Sequence, residues 1–138
     1  MKPLELMEEI KVSVTSDPDI VAARTRGRAM ALQLGLRPTA ATLVATAISE
    51  LARNILMYAR QGEIRIALIE HGERRGLVIV AHDEGPGIAD VERAMEDGFS
   101  TSGRLGLGLP GVRRLMDEFE IRSAIGDGTT VRVKKWNG

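Results

Sequence analysis

Two glycine clusters and one acid mark where this chain can do chemistry. Asp83 closes the apolar run Val78-Ile79-Val80-Ala81-His82 and is followed by Glu84-Gly85-Pro86-Gly87; the second cluster reads Gly106-Leu107-Gly108-Leu109-Pro110-Gly111. A carboxylate at a strand end can accept the exocyclic amine of adenine. Gly85 and Gly87 would let the base approach the backbone, because glycine turns with φ > 0 and brings its N–H close to a ligand. A turn acid before a Gly-Pro-Gly bend has the same appearance without any ligand. Gly106 and Gly108 precede a helical pattern whose free N–H groups and dipole favour an anion such as phosphate, although a ligand-free glycine loop has the same composition. The stretch from Val80 to Gly111 is therefore where a nucleotide is expected.

The second cluster also matches G-x-G-x-x-G, but a dinucleotide fold requires a strand directly before the glycines. Phe99–Arg104 is polar, and too little chain follows for the rest of a doubly wound sheet. A second pair of polar residues lies on the strongest helix pattern, residues 39–60. With Glu50 at 0° and 100° per residue, Leu51, Val44, Ile55 and Ile48 fall between about 100° and 160°. Glu50 and Asn54 then share the shoulder of that apolar stripe, four residues apart and facing the same way. Either they line a solvated helix edge, or they point into a cleft. In a cleft, Asn54 offers an oxygen to Mg²⁺, which takes few protein ligands beside phosphates and waters. Glu50 would then orient or deprotonate a nucleophile attacking the γ-phosphate.

The elements that must position these groups follow from periodicity. Ile10, Val12 and Val14 alternate with polar neighbours and predict a strand within 5–15. Ser16-Asp17-Pro18 opens a helix carrying Ile20, Val21, Arg24, Gly27, Met30, Ala31 and Leu34, stopped by Gly35. The 39–60 helix ends at Gly62; strands at 64–68 and 77–80 flank a polar turn at 71–76. A short helix is expected near 89–96 and a longer one over Leu109–Phe119. A strand around Ile121 to Ile125, a turn at Gly126-Asp127-Gly128 and a last strand over Thr130–Trp136 complete the order β-α-α-β-β-α-α-β-β. Adjacent hairpins predict a two-layer α/β (α+β) sandwich: a mostly antiparallel mixed sheet with helices on one face.

The chain's 138 residues suit one domain, 1–138. Lys+Arg and Asp+Glu both number 19, so net charge is zero, which disfavours a general nucleic-acid binder and gives membrane attachment no electrostatic driver. Aromatic residues are 3%, too few for single-strand stacking platforms. Cysteine is absent, which excludes disulfides and thiolate metal sites. The acidic N-terminal residues do not suit a signal peptide, and no apolar run approaching 18 residues is evident, so a cytoplasmic protein without nucleic-acid or membrane partners is expected. His71 and His82 lack metal-ligand spacing. The basic run Arg24–Arg28 fits a solvated helix face or a partner surface, and Trp136 suggests edge packing.

The order and spacing of four signatures carry a resemblance. These are Glu50-x-x-x-Asn54, Asp83-x-Gly85-x-Gly87, Gly106-x-Gly108 and Gly128-Thr129. Across almost the whole chain the series resembles the GHKL (Bergerat-fold) ATPase and kinase superfamily. Ser49–Ile55 and Gly106–Asp117 are most similar to the small serine/threonine kinases of bacterial anti-sigma and stressosome partner switches. The resemblance implies ATP and Mg²⁺ as cofactors, with Asp83 binding adenine, Thr129 helping to hold the base, Asn54 holding the metal and Glu50 acting on the incoming hydroxyl. It further implies an ATP lid at 88–105 whose Arg104 is aimed at the phosphates. The implied substrate is a Ser or Thr of a STAS-domain protein, with a PP2C-type phosphatase activated by the released kinase. An anti-sigma factor that sequesters a sigma subunit shares the same site. A detached ATP-binding half of a histidine kinase is disfavoured, because no dimerisation helix with a phosphoacceptor His precedes the domain.

Overall fold

A computed structural model describes residues 5–88, 95 and 108–137. Its elements are β1 (Glu5–Val14), α1 (Asp17–Leu34), α2 (Pro38–Tyr58), β2 (Gly62–His71), β3 (Arg74–Asp83), α3 (Gly108–Leu115), β4 (Glu118–Ala124) and β5 (Gly128–Asn137). The strands form one sheet in the order β1-β2-β3-β5-β4, and each of the four pairings is antiparallel. The sheet among the described residues is thus antiparallel throughout rather than mixed. The short helix expected near 89–96 lies outside the described residues.

Period-two alternation sends one set of side chains under the helices. Val12 and Val14, Ile64 and Ile66, Leu77, Ile79 and Ala81, and Val131 and Val133 all join a single core. From above, α1 contributes Ile20, Ala23, Met30, Ala31 and Leu34, and α2 contributes Val44, Ile48, Leu51 and Ile55. Val21, part of the helical pattern read from the sequence, is 49% exposed, whereas Ala23 is fully buried. The glycine in mid-helix at 27 has a packing reason. A Cβ there would stand 2.1 Å from Ile48 Cδ1, so its absence sets how closely α1 and α2 approach. The start of α1 is held by Asp19, whose carboxylate accepts the amides of Thr15 (2.9 Å) and Ser16 (3.2 Å).

Several boundaries differ from the sequence expectation: strands β2 and β3 run beyond the expected 64–68 and 77–80 and leave a two-residue turn at 72–73. Helix α2 stops at Tyr58, and the chain reverses through Arg60 at φ 72°. Gly62 is the first residue of β2 instead of the helix stop; a Cβ there would lie 2.5 Å from the His82 carbonyl oxygen. Helix α3 ends at Leu115 because the Asp117 amide donates to the Lys134 carbonyl (2.9 Å) and draws the chain into the sheet, so Phe119 packs from β4. Among the described residues α2 is the one helix long and apolar enough, by length and composition, to cross a membrane; it carries Glu50 and Arg53, and ten of its residues are buried within the fold.

The other face of the sheet carries no helix among the described residues. Its centre holds a small apolar cluster of Ala67, Ile69, Val78 and Trp136, surrounded by Glu9, Glu63, Arg65, Glu120, Arg122 and Arg132. Trp136 lies on an interior strand, not at an edge, and Gly76 opposite leaves room for its ring. The Arg74 guanidinium sits 4.4 Å from the ring centroid. The indole N–H donates to Glu118, and this bond, with the charges of Lys134 and Arg74, holds the Glu118 carboxyl below its ordinary range. A carboxyl whose folded pKa is lowered adds stability above its unfolded value, near 4.3, and loses it as pH falls through the folded value. Trp136→Phe should therefore cost about 1 kcal/mol or less at neutral pH, given the half-exposed carboxylate. It should also flatten the acid limb of a urea-midpoint profile below about pH 4.5. An unchanged acid limb would contradict this account.

Candidate functional site

The end of the sheet nearest the C-terminus of α2 brings the Asp83 and Gly128-Thr129 signatures together. Gly62, Asp83, Thr129 and Ser123 are consecutive partners across β2, β3, β5 and β4, and directly opposed residues share a face. Asp83 continues the inward set Leu77, Ile79, Ala81, so this row faces the helix side of the sheet. Asp83 Oδ1 accepts the Gly85 amide at 2.9 Å, closing a turn that leaves the second carboxylate oxygen without that bond.

The glycines here answer to internal packing. A Cβ at Gly85 would lie 2.5 Å from Ala59 Cβ at the end of α2. At Gly87, φ is +79° and a Cβ would fall 2.0 Å from the Ala124 carbonyl oxygen. At Gly128, φ is +77° and a Cβ would fall 2.2 Å from the Asp83 carbonyl oxygen. From the sequence, Gly85 and Gly87 are expected to admit a base. In the structure they first let the Asp83 loop nest between α2 and the β4–β5 turn, where the Gly126 amide donates to the Pro86 carbonyl (2.9 Å).

Ser123 was not singled out by sequence reasoning, and it ties this region together. Its Oγ accepts the Ile88 amide (2.7 Å) and lies 2.7 Å from Thr129 Oγ1 and 3.0 Å from the Gly128 carbonyl oxygen. The turn expected at Gly126-Asp127-Gly128 lies one residue earlier, at 125–127, with Gly128 already in β5, and that shift is what places Ser123 opposite Thr129.

Glu50 is 5% exposed, which rules out the solvated-edge alternative for that residue, and Asn54 is half-buried. A buried carboxylate requires compensation. Glu50 Oε1 takes a 3.0 Å ion pair from Arg53 Nη1, and Oε2 lies 3.4 Å from the Gly108 amide at the start of α3. Arg53, a second residue missed in the sequence, stands three along the same helix. The α3 N-terminus, expected to meet phosphate, thus meets the Glu50 carboxylate through the amide of Gly108, whose φ is +63°. Arg104, Gly106 and most of the proposed lid lie outside the described residues. His82 is turned to the opposite face, where Nδ1 lies 2.7 Å from Thr130 Oγ1.

The donor set also bears on metal chemistry. Among the described residues no three His, Asp or Glu side chains converge. A divalent ion beside Asn54 would therefore take most of its ligands from phosphate and water, which suits Mg²⁺ carried by a nucleotide.

The antiparallel sheet with its helices on one face has the architecture of an ATPase domain of the histidine-kinase type. Residues 14–135 match the family model described as "Histidine kinase-like ATPase domain", and the chain belongs to that family. Among its relatives is the serine/threonine-protein kinase RsbT of Bacillus subtilis (strain 168). It is 52% identical over 125 residues, covering 91% of this chain and 94% of the relative. An anti-sigma F factor of Thermoanaerobacter sp. (strain X514) is 34% identical over 122 residues, covering 84% of each chain. The catalytic domain of histidine kinase ThkA, solved in a nucleotide-free form, superposes with a TM-score of 0.52 at 14% identity. That match covers 94% of this chain and 95% of the other, and it shows the shared fold.

The packing at Gly87 yields a direct test. Gly126 also has positive φ, but nothing lies within 4 Å of a Cβ there. Gly126→Ala should cost only the left-handed backbone penalty, about 1 kcal/mol, whereas Gly87→Ala adds a backbone collision and should cost about 2–3 kcal/mol. Equal urea midpoints for the two variants would show that the loop does not pack as described.

Proposed function

We propose that this protein is an ATP-dependent serine/threonine protein kinase of a bacterial partner switch. Its substrate would be a Ser or Thr hydroxyl on a STAS-domain protein, and the released kinase would engage a PP2C-type phosphatase in the cytoplasm. The observation that carries this reading is the buried, doubly held carboxylate of Glu50, one helical turn from Asn54 on a family member's core helix. The 52% identity to a serine/threonine-protein kinase over nearly the whole chain supports the same class.

In this reading Asp83 accepts the adenine amine and Thr129 in the next strand helps to hold the base. Gly85 and Gly87 shape the loop beside them, and Gly106 and Gly108 would bring the start of α3 towards the phosphates, the Gly108 amide leaving its 3.4 Å contact with Glu50 to do so. Magnesium, when bound with ATP, would neutralise charge on the transferring phosphoryl group, with Asn54 as its protein oxygen. Glu50 receives the proton of the incoming hydroxyl, and Arg104 faces the phosphates. Addition of phosphate would place roughly −2 charge on the partner and so change its affinities.

A second reading has its own support in the 34% identity to an anti-sigma F factor: nucleotide-dependent capture of a sigma subunit. Incubation with labelled ATP and purified STAS-domain protein, beside a binding assay with sigma factor, separates the two. Label on the STAS protein supports the kinase; a stable sigma complex without transfer supports the alternative.

Asp83→Asn should abolish ATP binding in calorimetry while leaving the fold intact, because an asparagine oxygen can still accept the Gly85 amide. Tight binding by that variant would contradict the adenine assignment. Glu50→Ala should retain ATP affinity but lose roughly 10²–10⁴ in transfer rate, the usual contribution of a general base. Undiminished transfer would remove Glu50 from the chemistry.

A further inference from the structure

We propose that Arg53 is a positioning residue for phosphoryl transfer: its guanidinium anchors one oxygen of the Glu50 carboxylate, so that the other, Oε2, is the one that meets the incoming hydroxyl. The proposal rests on the assignment of Glu50 as proton acceptor made above. It adds a residue, at a position the Glu50-x-x-x-Asn54 signature leaves open, that acts through Glu50 and touches neither nucleotide nor hydroxyl.

The contacts of Glu50 with Arg53 and with Gly108 differ in kind. Arg53 Nη1 reaches Oε1 at 3.0 Å from three residues along the same helix, so their spacing is set by α2 itself. The Gly108 amide reaches Oε2 at 3.4 Å, long for such a bond, and comes from a separate element, the start of α3. In the ATP-site reading that start moves towards the phosphates. Oε2 then gives up this donor, whereas Oε1 keeps its own because both partners ride on one core helix. A backbone N–H and a Ser or Thr hydroxyl present the same kind of group to a carboxylate, a single polarised hydrogen. The Gly108 amide therefore marks a direction from which a donor can approach Oε2.

An anchor is needed because burial alone does not aim a carboxylate. The last torsion of a glutamate side chain is broad and roughly two-fold, so its two oxygens can exchange places unless one of them is bound. A charge-assisted bond from a guanidinium supplies that restraint. It also compensates the charge of a side chain that is only 6% exposed. Arg53 can do both from the solvent side, since its own side chain is 41% exposed. From Ile20 to Tyr58 Glu50 is the one acid, so α2 offers Arg53 no competing carboxylate. With Oε1 held, the hydroxyl proton passes to Oε2 as the hydroxyl oxygen bonds to the γ-phosphorus. The bond from phosphorus to the bridging oxygen breaks, and ADP leaves with its electron pair.

The test is transfer kinetics with labelled ATP and purified STAS-domain protein, with ATP calorimetry and thermal unfolding in parallel. It compares wild type, Arg53→Met, Arg53→Lys, Glu50→Gln and the double variant Arg53→Met/Glu50→Gln. Arg53→Met keeps the aliphatic stem and should lower kcat about 10- to 100-fold, the scale of a small misplacement, with KM and ATP affinity within about 2-fold of wild type. Arg53→Lys, which returns a charged donor, should recover most of that loss. In the Glu50→Gln background Arg53→Met should cost nothing further, because the base it aims is already gone. An unchanged kcat, a loss confined to KM or ATP affinity, or the same loss in both backgrounds overturns the proposal while leaving the site standing. Should Arg53→Met fail to fold, Arg53→Gln, which is polar but uncharged, takes its place under the same outcomes. A wild type that binds ATP but transfers no phosphate to the STAS protein removes the Glu50 assignment, and this role with it.

Discussion

Everything at the candidate site depends on the register between β3 and β5. Asp83 and Thr129 lie side by side only because Ala81 meets Val131 and Ile79 meets Val133 two and four residues earlier. Those pairs are buried on the helix side, and a one-residue slip would turn the whole apolar set to the open face. The core therefore does more than stabilise the chain: it fixes where a single carboxylate appears. Gly128 sharpens the same constraint, since its missing Cβ lets β5 begin directly against the Asp83 carbonyl.

The burial of Glu50 shows a second side of this economy. A carboxylate under a helix is unfavourable alone, but Arg53 on its own helix and the first amide of α3 engage one oxygen each. The helix that supplies most of the core thus also carries the group proposed to act on the hydroxyl. The contact with Gly108 ties that group to the start of the second glycine cluster, far away in sequence.

Much of this was legible in the sequence. Alternation of Ile64, Ile66 and Leu68 and the unbroken run Leu77–Val80 gave β2 and β3, and the order of signatures gave the family. Boundaries were less legible where long-range contacts decide them. Helix α2 yields at Tyr58 because Gly62 must pass under the His82 carbonyl, and α3 yields at Leu115 because Asp117 finds a partner in β5. The role of Ser123 was hidden for the same reason. A serine in an alternating strand reads as an ordinary polar position until the hairpin places it opposite Thr129. Glu50 looked like a shoulder residue because a helical wheel contains no α3 to cover it.

The strand order has a further consequence for biosynthesis. β5 is the last of the five strands to be made, yet it lies inside the sheet, between β3 and β4. As the chain leaves the ribosome, β1 to β3 can pair, but β3 keeps an open edge and β4 has no strand to join until β5 emerges. Such non-local closure is slow, and the exposed edge is a natural place for a chaperone to hold. A nascent chain therefore brings Asp83 and Thr129 together in one late event instead of by gradual accretion.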